Sequence, residues 1–208
     1  MSSATKLHPF GCVILAAGAG KRFGEPKATA EWTPGVRFLD AVVETARWSG
    51  ADPIVAAVGP GVRVPDGARG VVNADAKGEQ VVSLRLALAQ LTNAPVEGAL
   101  VWPVDHPAVR VESVLAVLDA ARRTGALIVL PTFEGKRGHP AWFHRDVWRE
   151  LVTVKEGGAR AVVHANPRRV LEVPVNDAGV LRDIDTRDDL AAARGVAGAG
   201  GADVAAHG

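Results

Sequence analysis

Three short stretches of the chain gather residues able to handle phosphate and metal. The first is A-A-G-A-G-K-R-F-G-E-P-K, Ala16 to Lys27, which follows directly on an apolar run. Small residues let a backbone come close to a ligand, and successive backbone N–H groups can form an anion cradle. Lys21, Arg22 and Lys27 add positive charge beside it. The second is Asp105, with His106 and Pro107 behind it, at the end of the apolar residues 100–104. The third is Asp183 and Asp185, on either side of Ile184. Beside a triphosphate, carboxylates suit Mg²⁺, which is typically held by one or two of them with phosphate oxygens and water completing the shell.

Other chemistries were weighed against the same residues. A P-loop needs Gly, four residues and then Gly-Lys-Ser/Thr; here Arg22 follows Gly20-Lys21, and Leu15 stands where the first Gly should be. A dinucleotide fingerprint needs G-x-G-x-x-G, whereas Gly18, Gly20 and Gly24 are spaced one residue too long, and Asp40 falls inside a helical pattern. A lone pair of glycosidase-type carboxylates leaves the basic loop with nothing to bind. Plainer readings also stand. The loop can also be read as a Gly-rich turn without a ligand, although three basic residues around such a turn are uncommon. Asp105 suits a cap for a helix after Pro107, and Asp183 and Asp185 suit solvated acids before a helix. His106 and His139 read either as substrate contacts or as structural side chains.

The elements that must position these residues follow from periodicity. Residues 12–16, 54–58, 70–73, 99–104 and 126–130 read as short apolar strands, and 38–48, 81–91 and 111–122 as helices. Apolar strands separated by helices indicate a parallel sheet covered on both faces, a three-layer, Rossmann-like, doubly wound α/β fold with a mostly parallel sheet. Open sheets of this kind bind ligands at the carboxyl ends of their strands, where the loop after residue 16 and Asp105 both fall. Residues 132–143 read as a hairpin or loop pair, 146–151 and 159–165 as short helices, and 170–175 and 180–184 as strands. A last helix starts near Asp189, with Thr186 as its cap. The expected organisation is one domain over residues 8–195 and a disordered Gly/Ala-rich tail over 196–208.

Composition narrows the partners. The net charge of +1 provides no global basic field for nucleic acid. No window approaches the apolar length of a membrane helix, and no apolar stretch stands ahead of residue 9, so no membrane association and a cytoplasmic location are expected. The one cysteine, Cys12, lies in an apolar run and reads as core; it also removes disulfides and the common zinc frameworks.

Taken together, these segments resemble the MobA-like NTP transferase family, and within it the molybdenum cofactor cytidylyltransferase branch. Leu15, Ala16, Ala17, Gly18, Gly20, Arg22, Gly24 and Lys27 stand in its L-A-A-G-x-S/G-x-R-x-G-x-x-K pattern, with Phe23 where Met is usual. Pro103 to Pro107 resembles its metal-binding aspartate segment, and Gly135 to Phe143 its G-x-x-G-H-P segment. Gly157 to Ala161 resembles its Gly-Ala-Arg segment, and Asp183-Ile184-Asp185-Thr186 with Asp189-Leu190 its closing D-I-D-T-x-x-D-L motif. The stretch from Asn73 to Leu84 has the family's Asn, Gly and Ser-Leu, although Gly78 is one residue too far from Ser83. Ala17 and Glu25-Pro26-Lys27 resemble the cytidylyl branch more than the guanylyl branch, which tends to have L-A-G-G and G-x-D-K.

The resemblance implies a Mg²⁺-dependent transfer of a nucleoside monophosphate, with CTP as donor and release of pyrophosphate. It implies nucleotide binding by Leu15, Ala16, Ala17, Gly18, Gly20, Arg22, Lys27, Asn73 and Ser83. Catalytic roles fall to Arg22, Lys27 and Asp105, and metal binding to Asp105 and Asp185. His106 and His139 would line the acceptor side. The implied acceptor is a phosphorylated small molecule such as molybdopterin, and a molybdoenzyme the implied client. Trp142 could pack on a flat acceptor but reads as core beside Phe143. A sugar-phosphate or methylerythritol-phosphate nucleotidyltransferase would share much of this skeleton. A non-catalytic cofactor-delivery relative would have little need of two metal carboxylates.

Overall fold

The computed structural model describes residues 9–75 and 80–199. The first apolar run folds as β1 (Phe10–Ala16), buried along its whole length. After the glycine-rich loop come β2 (Glu31–Thr33) and β3 (Val36–Arg37), which form a small antiparallel hairpin of their own. Then α1 (Phe38–Trp48) buries Phe38, Leu39, Val42, Val43 and Ala46, the residues that share one face at helical spacing. It is followed by β4 (Ile54–Val58), β5 (Arg69–Val72), α2 (Gln80–Leu91), β6 (Gly98–Pro103) and α3 (Val111–Thr124), closed by Gly125 at φ +65°. The remainder is β7 (Ile128–Phe133), β8 (Lys136–Arg137), β9 (Ala141–His144), α4 (Trp148–Thr153), α5 (Gly158–Ala165), β10 (Val170–Pro174) and α6 (Arg187–Ala199).

The central sheet runs β10-β7-β9-β6-β1-β4-β5, with β8 paired to β7. β1 is parallel to β4 and β6, β4 to β5, and β7 to β10; β9 runs antiparallel between β6 and β7, and β8 antiparallel to β7. Two apolar cores cover its faces. One gathers Phe23, Phe38, Leu39, Val114, Val117 and Ile184, the other Leu84, Leu88, Leu91, Val147, Leu151 and Val162. The fold is thus the mostly parallel α/β sheet with helices on both sides that the strand and helix pattern indicates. Cys12 is fully buried in it, and burial pushes its thiol far up, which suits a core side chain. Trp142 is also core: its ring packs so closely over Gly98 that a Cβ there would lie 2.5 Å from it. No helix among the described residues is long and apolar enough to cross a membrane.

One expectation needs correction. Residues 180–184 are not a strand: Val180 and Leu181 end a 3₁₀ turn, Ala178–Leu181, and residues 182–184 are irregular. The Asp177 carboxylate accepts from the Gly179 N–H at 2.8 Å and nucleates that turn, which sets the local geometry before any ladder can form. The hairpin expected over 132–143 is present, with β7 and β8 antiparallel around Glu134-Gly135 and β9 adding a further antiparallel strand beside β7. Helix α6 is described as far as Ala199. Residues 200–208 lie outside the described part, as do residues 1–8.

Candidate active site

The strand register assembles the site. Pairing of β1 with β6 sets Leu15 opposite Pro103, and the Val104 N–H donates to the Leu15 carbonyl at 3.1 Å. The loop after β1 and Asp105 therefore leave the sheet side by side. On the other flank, the Asn73 N–H donates to the Val58 carbonyl at 2.8 Å, so the residue after β5 opens onto the same edge. These are the carboxyl ends of neighbouring parallel strands, the place where open α/β sheets hold ligands.

The loop is held from both sides. Gly20 has φ +61°, and the Gly24 N–H donates to its carbonyl at 2.8 Å. Phe23 is buried and meets Phe38 edge-on, ring centres 5.6 Å apart, so it pins the loop to α1. The Arg187 guanidinium lies 4.5 Å over the Phe23 ring and pairs with Glu25, which ties the loop to α6. A large aromatic in the family's usual Met position is therefore an anchor in the core.

Asp185 arrives by a separate route. The Ile184 side chain is fully buried, and its N–H donates to the Asp105 carbonyl at 2.9 Å. The turn is locked by Asp189, whose Oδ2 accepts from the Asp185 N–H (3.1 Å), the Thr186 N–H (2.8 Å) and the Thr186 hydroxyl (2.8 Å). The Asp189 N–H donates back to Thr186 Oγ1 at 3.1 Å, which is the expected cap of α6.

The three stretches meet at Lys27. Its Nζ lies 3.3 Å from Asp105 Oδ2 and contacts Asp185 Oδ1, while Arg22 Nη2 lies 2.6 Å from Asp185 Oδ2. Burial alone would raise the Asp185 carboxyl. The Lys27 hydrogen bond and the charges of Lys27 and Arg22 outweigh it and hold that carboxyl below the usual range. Asp105 Oδ1 is buried without a hydrogen bond among the described residues. An unpaired buried carboxylate oxygen is costly, and a bound cation would satisfy it.

Around these groups lies a cleft of ≈ 310 Å³, within the range of small-molecule sites. Of the expected nucleotide contacts, Leu15, Ala17, Gly18, Gly20, Arg22, Lys27, Asn73 and Ser83 line it, as do Asp105 and Asp185. Ala16 does not; its side chain is in the core. Asn73 Nδ2 donates to Ser83 Oγ at 3.0 Å, both side chains buried. Asp183 is exposed and outside the cleft. Gly78 belongs to residues 76–79, outside the described part. Asp105 caps no helix, since α3 begins only after Arg110.

His106 and His139 do not line this cleft but stand together behind Asp105, ring centres 4.8 Å apart, with His106 Nε2 3.8 Å from Asp105 Oδ1. Burial lowers the His106 pKa against the opposing charges of Asp105 and Asp183. Burial, then the neighbouring His106, pushes His139 down to about 4. Both rings are set to be neutral at pH 7, as donors or acceptors rather than cations.

Gln80 and Asp75 also line the cleft and escaped the sequence reading. Gln80 sits one helical turn before Ser83 on α2, and that i, i+3 spacing was the available signal.

Comparison with known proteins agrees with this geometry. The family model of the MobA-like NTP transferase domain matches residues 12–170. A probable molybdenum cofactor guanylyltransferase of Mycobacterium avium (strain 104) is 26% identical over 86% of this chain and 92% of its own. The crystal structure of Rv0371c from Mycobacterium tuberculosis H37Rv superposes with TM-score 0.77 at 27% identity, covering 90% of this chain and 98% of that one. That protein has also been solved in complex with manganese: TM-score 0.72, 28% identity, 88% and 97% covered. A bifunctional enzyme IspD/IspF of Erythrobacter litoralis (strain HTCC2594) is 34% identical over 64% of this chain and 36% of its own length.

Proposed function

This chain belongs to the MobA-like NTP transferase family and is a nucleotidyltransferase, and from that premise we propose that it transfers CMP from CTP to the phosphate of a small acceptor such as molybdopterin. Pyrophosphate is the other product. The observation that carries the reading is the meeting of Lys27 with both Asp105 and Asp185 at the mouth of the glycine loop.

The loop residues Ala17, Gly18 and Gly20 bring backbone to the triphosphate, and Arg22 and Lys27 neutralise its oxygens. Lys21, Arg22 and Lys27 face Asp75, Asp105 and Asp185 in the lining, so the two signs balance. A triphosphate entering such a cleft brings several uncompensated negative charges, and a divalent cation offsets them. Asp105 and Asp185 would hold it, and the unpaired Asp105 Oδ1 fits that role. Mg²⁺ is the proposed ion; bound there, it supplies charge stabilisation and Lewis acidity. The acceptor phosphate attacks the α-phosphorus in line, the bond to the bridging oxygen breaks, and pyrophosphate leaves with that oxygen. A phosphate nucleophile needs no strong base, so positioning and charge neutralisation do most of the catalysis. His106 and His139 are proposed to face the acceptor as neutral hydrogen-bonding groups. A molybdoenzyme is proposed as the client that takes the finished cofactor.

CTP is chosen on Ala17 and the Glu25-Pro26-Lys27 run. A second reading, GTP as donor, is favoured by the name of the Mycobacterium avium relative. The test is pyrophosphate release with CTP, GTP, ATP and UTP in Mg²⁺, with molybdopterin as acceptor, together with thermal stabilisation by each nucleotide. Release with CTP alone supports the proposal, and release with GTP alone replaces it with the second reading. Nucleotide binding without release from any of the four refutes catalysis on this acceptor.

A further inference from the structure

We propose that, in the nucleotide-free protein, Lys27 holds the place of the divalent cation, so the two-carboxylate site becomes available only when phosphate groups draw its ammonium away. The inference rests on the reading of Asp105 and Asp185 as a metal pair and adds an order of binding to it.

The geometry is that of a cation between two anions. Lys27 Nζ contacts Asp185 Oδ1 and lies 3.3 Å from Asp105 Oδ2. The Lys27 side chain is only 12% exposed, so water and salt screen this charge weakly. Those two oxygens, one from each carboxylate, share a single ammonium, so one positive charge already occupies the space between the pair. A free ion reaching the pair would meet the ammonium at close range, where repulsion between like charges is strong. The pair does not need a metal for folding either, because Lys27 and Arg22 already neutralise it.

Lys27 is also the group best placed to leave. It is on the loop that ends in the triphosphate site, four flexible methylenes carry its charge, and it lines the same cleft as Ala17, Gly18 and Gly20. Phosphate oxygens provide charge-assisted partners at least as good as the carboxylates it gives up. Arg22, the other cation on Asp185, is 74% exposed and can follow the same oxygens. Triphosphate entry thus frees Asp105 Oδ2 and both Asp185 oxygens, beside the Asp105 Oδ1 that makes no hydrogen bond among the described residues, in one movement. The consequence is that the protein resists loading with metal alone and takes it together with nucleotide.

The experiment is Mn²⁺ binding to nucleotide-free protein, followed by electron paramagnetic resonance of the free ion, in wild type and in Lys27→Gln, Lys27→Met and Lys27→Arg. The two neutral variants should bind Mn²⁺ about tenfold tighter than wild type, a difference in free energy of about 1.4 kcal/mol. Lys27→Arg, which keeps the charge, should stay close to wild type. Adding Asp105→Asn to Lys27→Gln should abolish the gain. Equal Mn²⁺ affinity in wild type and both neutral variants overturns the place-holder role. Wild type gives an independent arm that needs no Lys27 variant. Tight, micromolar Mn²⁺ binding to it without nucleotide, lost in Asp105→Asn, overturns the proposal as well. Pyrophosphate release by wild type is scored separately: turnover without a Lys27 effect on Mn²⁺ sinks this inference and leaves the proposed function standing.

Discussion

The carbonyl oxygen of Glu25 lies 1.7 Å from the position a Cβ would take on Gly20. Gly20 also has φ +61°, a region L side chains rarely adopt. Two independent reasons therefore demand glycine, and both concern how tightly the loop folds back on itself before Pro26 and Lys27. Gly20→Ala should displace the Glu25–Lys27 segment and move Lys27 from Asp105. The expected result is loss of nucleotide-dependent thermal stabilisation, with a fall in unfolding free energy of about 1–3 kcal/mol. Melting curves with and without CTP and Mg²⁺ check it, and normal stabilisation in the variant would refute the loop assignment.

Asp105 offers one oxygen to Lys27 and keeps the other buried and unpaired. Its side chain is in no apolar core, so removing it should spare the fold. Asp105→Ala should lower Mg²⁺-dependent pyrophosphate release by at least about 100-fold, the size of effect seen when one preorganised charge-stabilising group is lost. Circular dichroism should remain that of the parent. Near-normal turnover in this variant would refute the metal assignment.

How much of this was legible in the sequence depends on whether local pattern or distant pairing decides the outcome. The α1 boundaries follow from Phe38, Leu39, Val42, Val43 and Ala46, because helical spacing is a local property. The carboxyl ends of β1 and β6 could be read as ligand-facing, because parallel strands order their own ends. The alternation at residues 180–184 looked like a strand, but Asp177 and the buried Ile184 impose a turn and a single backbone bond to Asp105. Nothing local in Ala141–His144 says that it runs antiparallel between β6 and β7. The segments bearing Lys27, Asp105 and Asp185 were each visible. That the two carboxylates converge beside the basic loop followed from the family resemblance; that Lys27 bridges them did not, since it depends on the β1–β6 register and on Ile184 reaching the Asp105 carbonyl.

Asp177 shows how the second carboxylate is delivered. Its buried side chain accepts from Ser113 Oγ at 2.8 Å, the Arg110 N–H at 2.9 Å and the Gly179 N–H at 2.8 Å. It thereby ties the Ala178–Leu181 turn to the start of α3. Asp177→Ala would strand three donors in a buried place. The expected loss is about 2–4 kcal/mol in urea denaturation, with an unchanged denaturant slope. A loss below about 0.5 kcal/mol, the range of ordinary surface changes, would show that the turn holds without it.

His139 makes folding stability depend on pH in a stated direction. Its pKa in the folded protein is about 4, through burial and the neighbouring His106, against an ordinary value near 6.5. Below about pH 6.5 the unfolded chain takes up a proton that the folded chain refuses, so acid favours unfolding. The contribution of the neutral ring is whole above that pH, declines as the pH falls, and is gone below about 4. Over this window the loss is on the order of 3 kcal/mol, and roughly 2 kcal/mol of it falls between pH 6.5 and 5. His106 is shifted the same way and steepens the decline. His139→Gln keeps a polar side chain of similar reach without a titrating group. Urea midpoints at pH 7 and pH 5 should differ strongly in wild type and by much less in this variant. Equal differences in the two proteins would mean that His139 is solvated and free to protonate in the fold, and its place behind Asp105 would need revision.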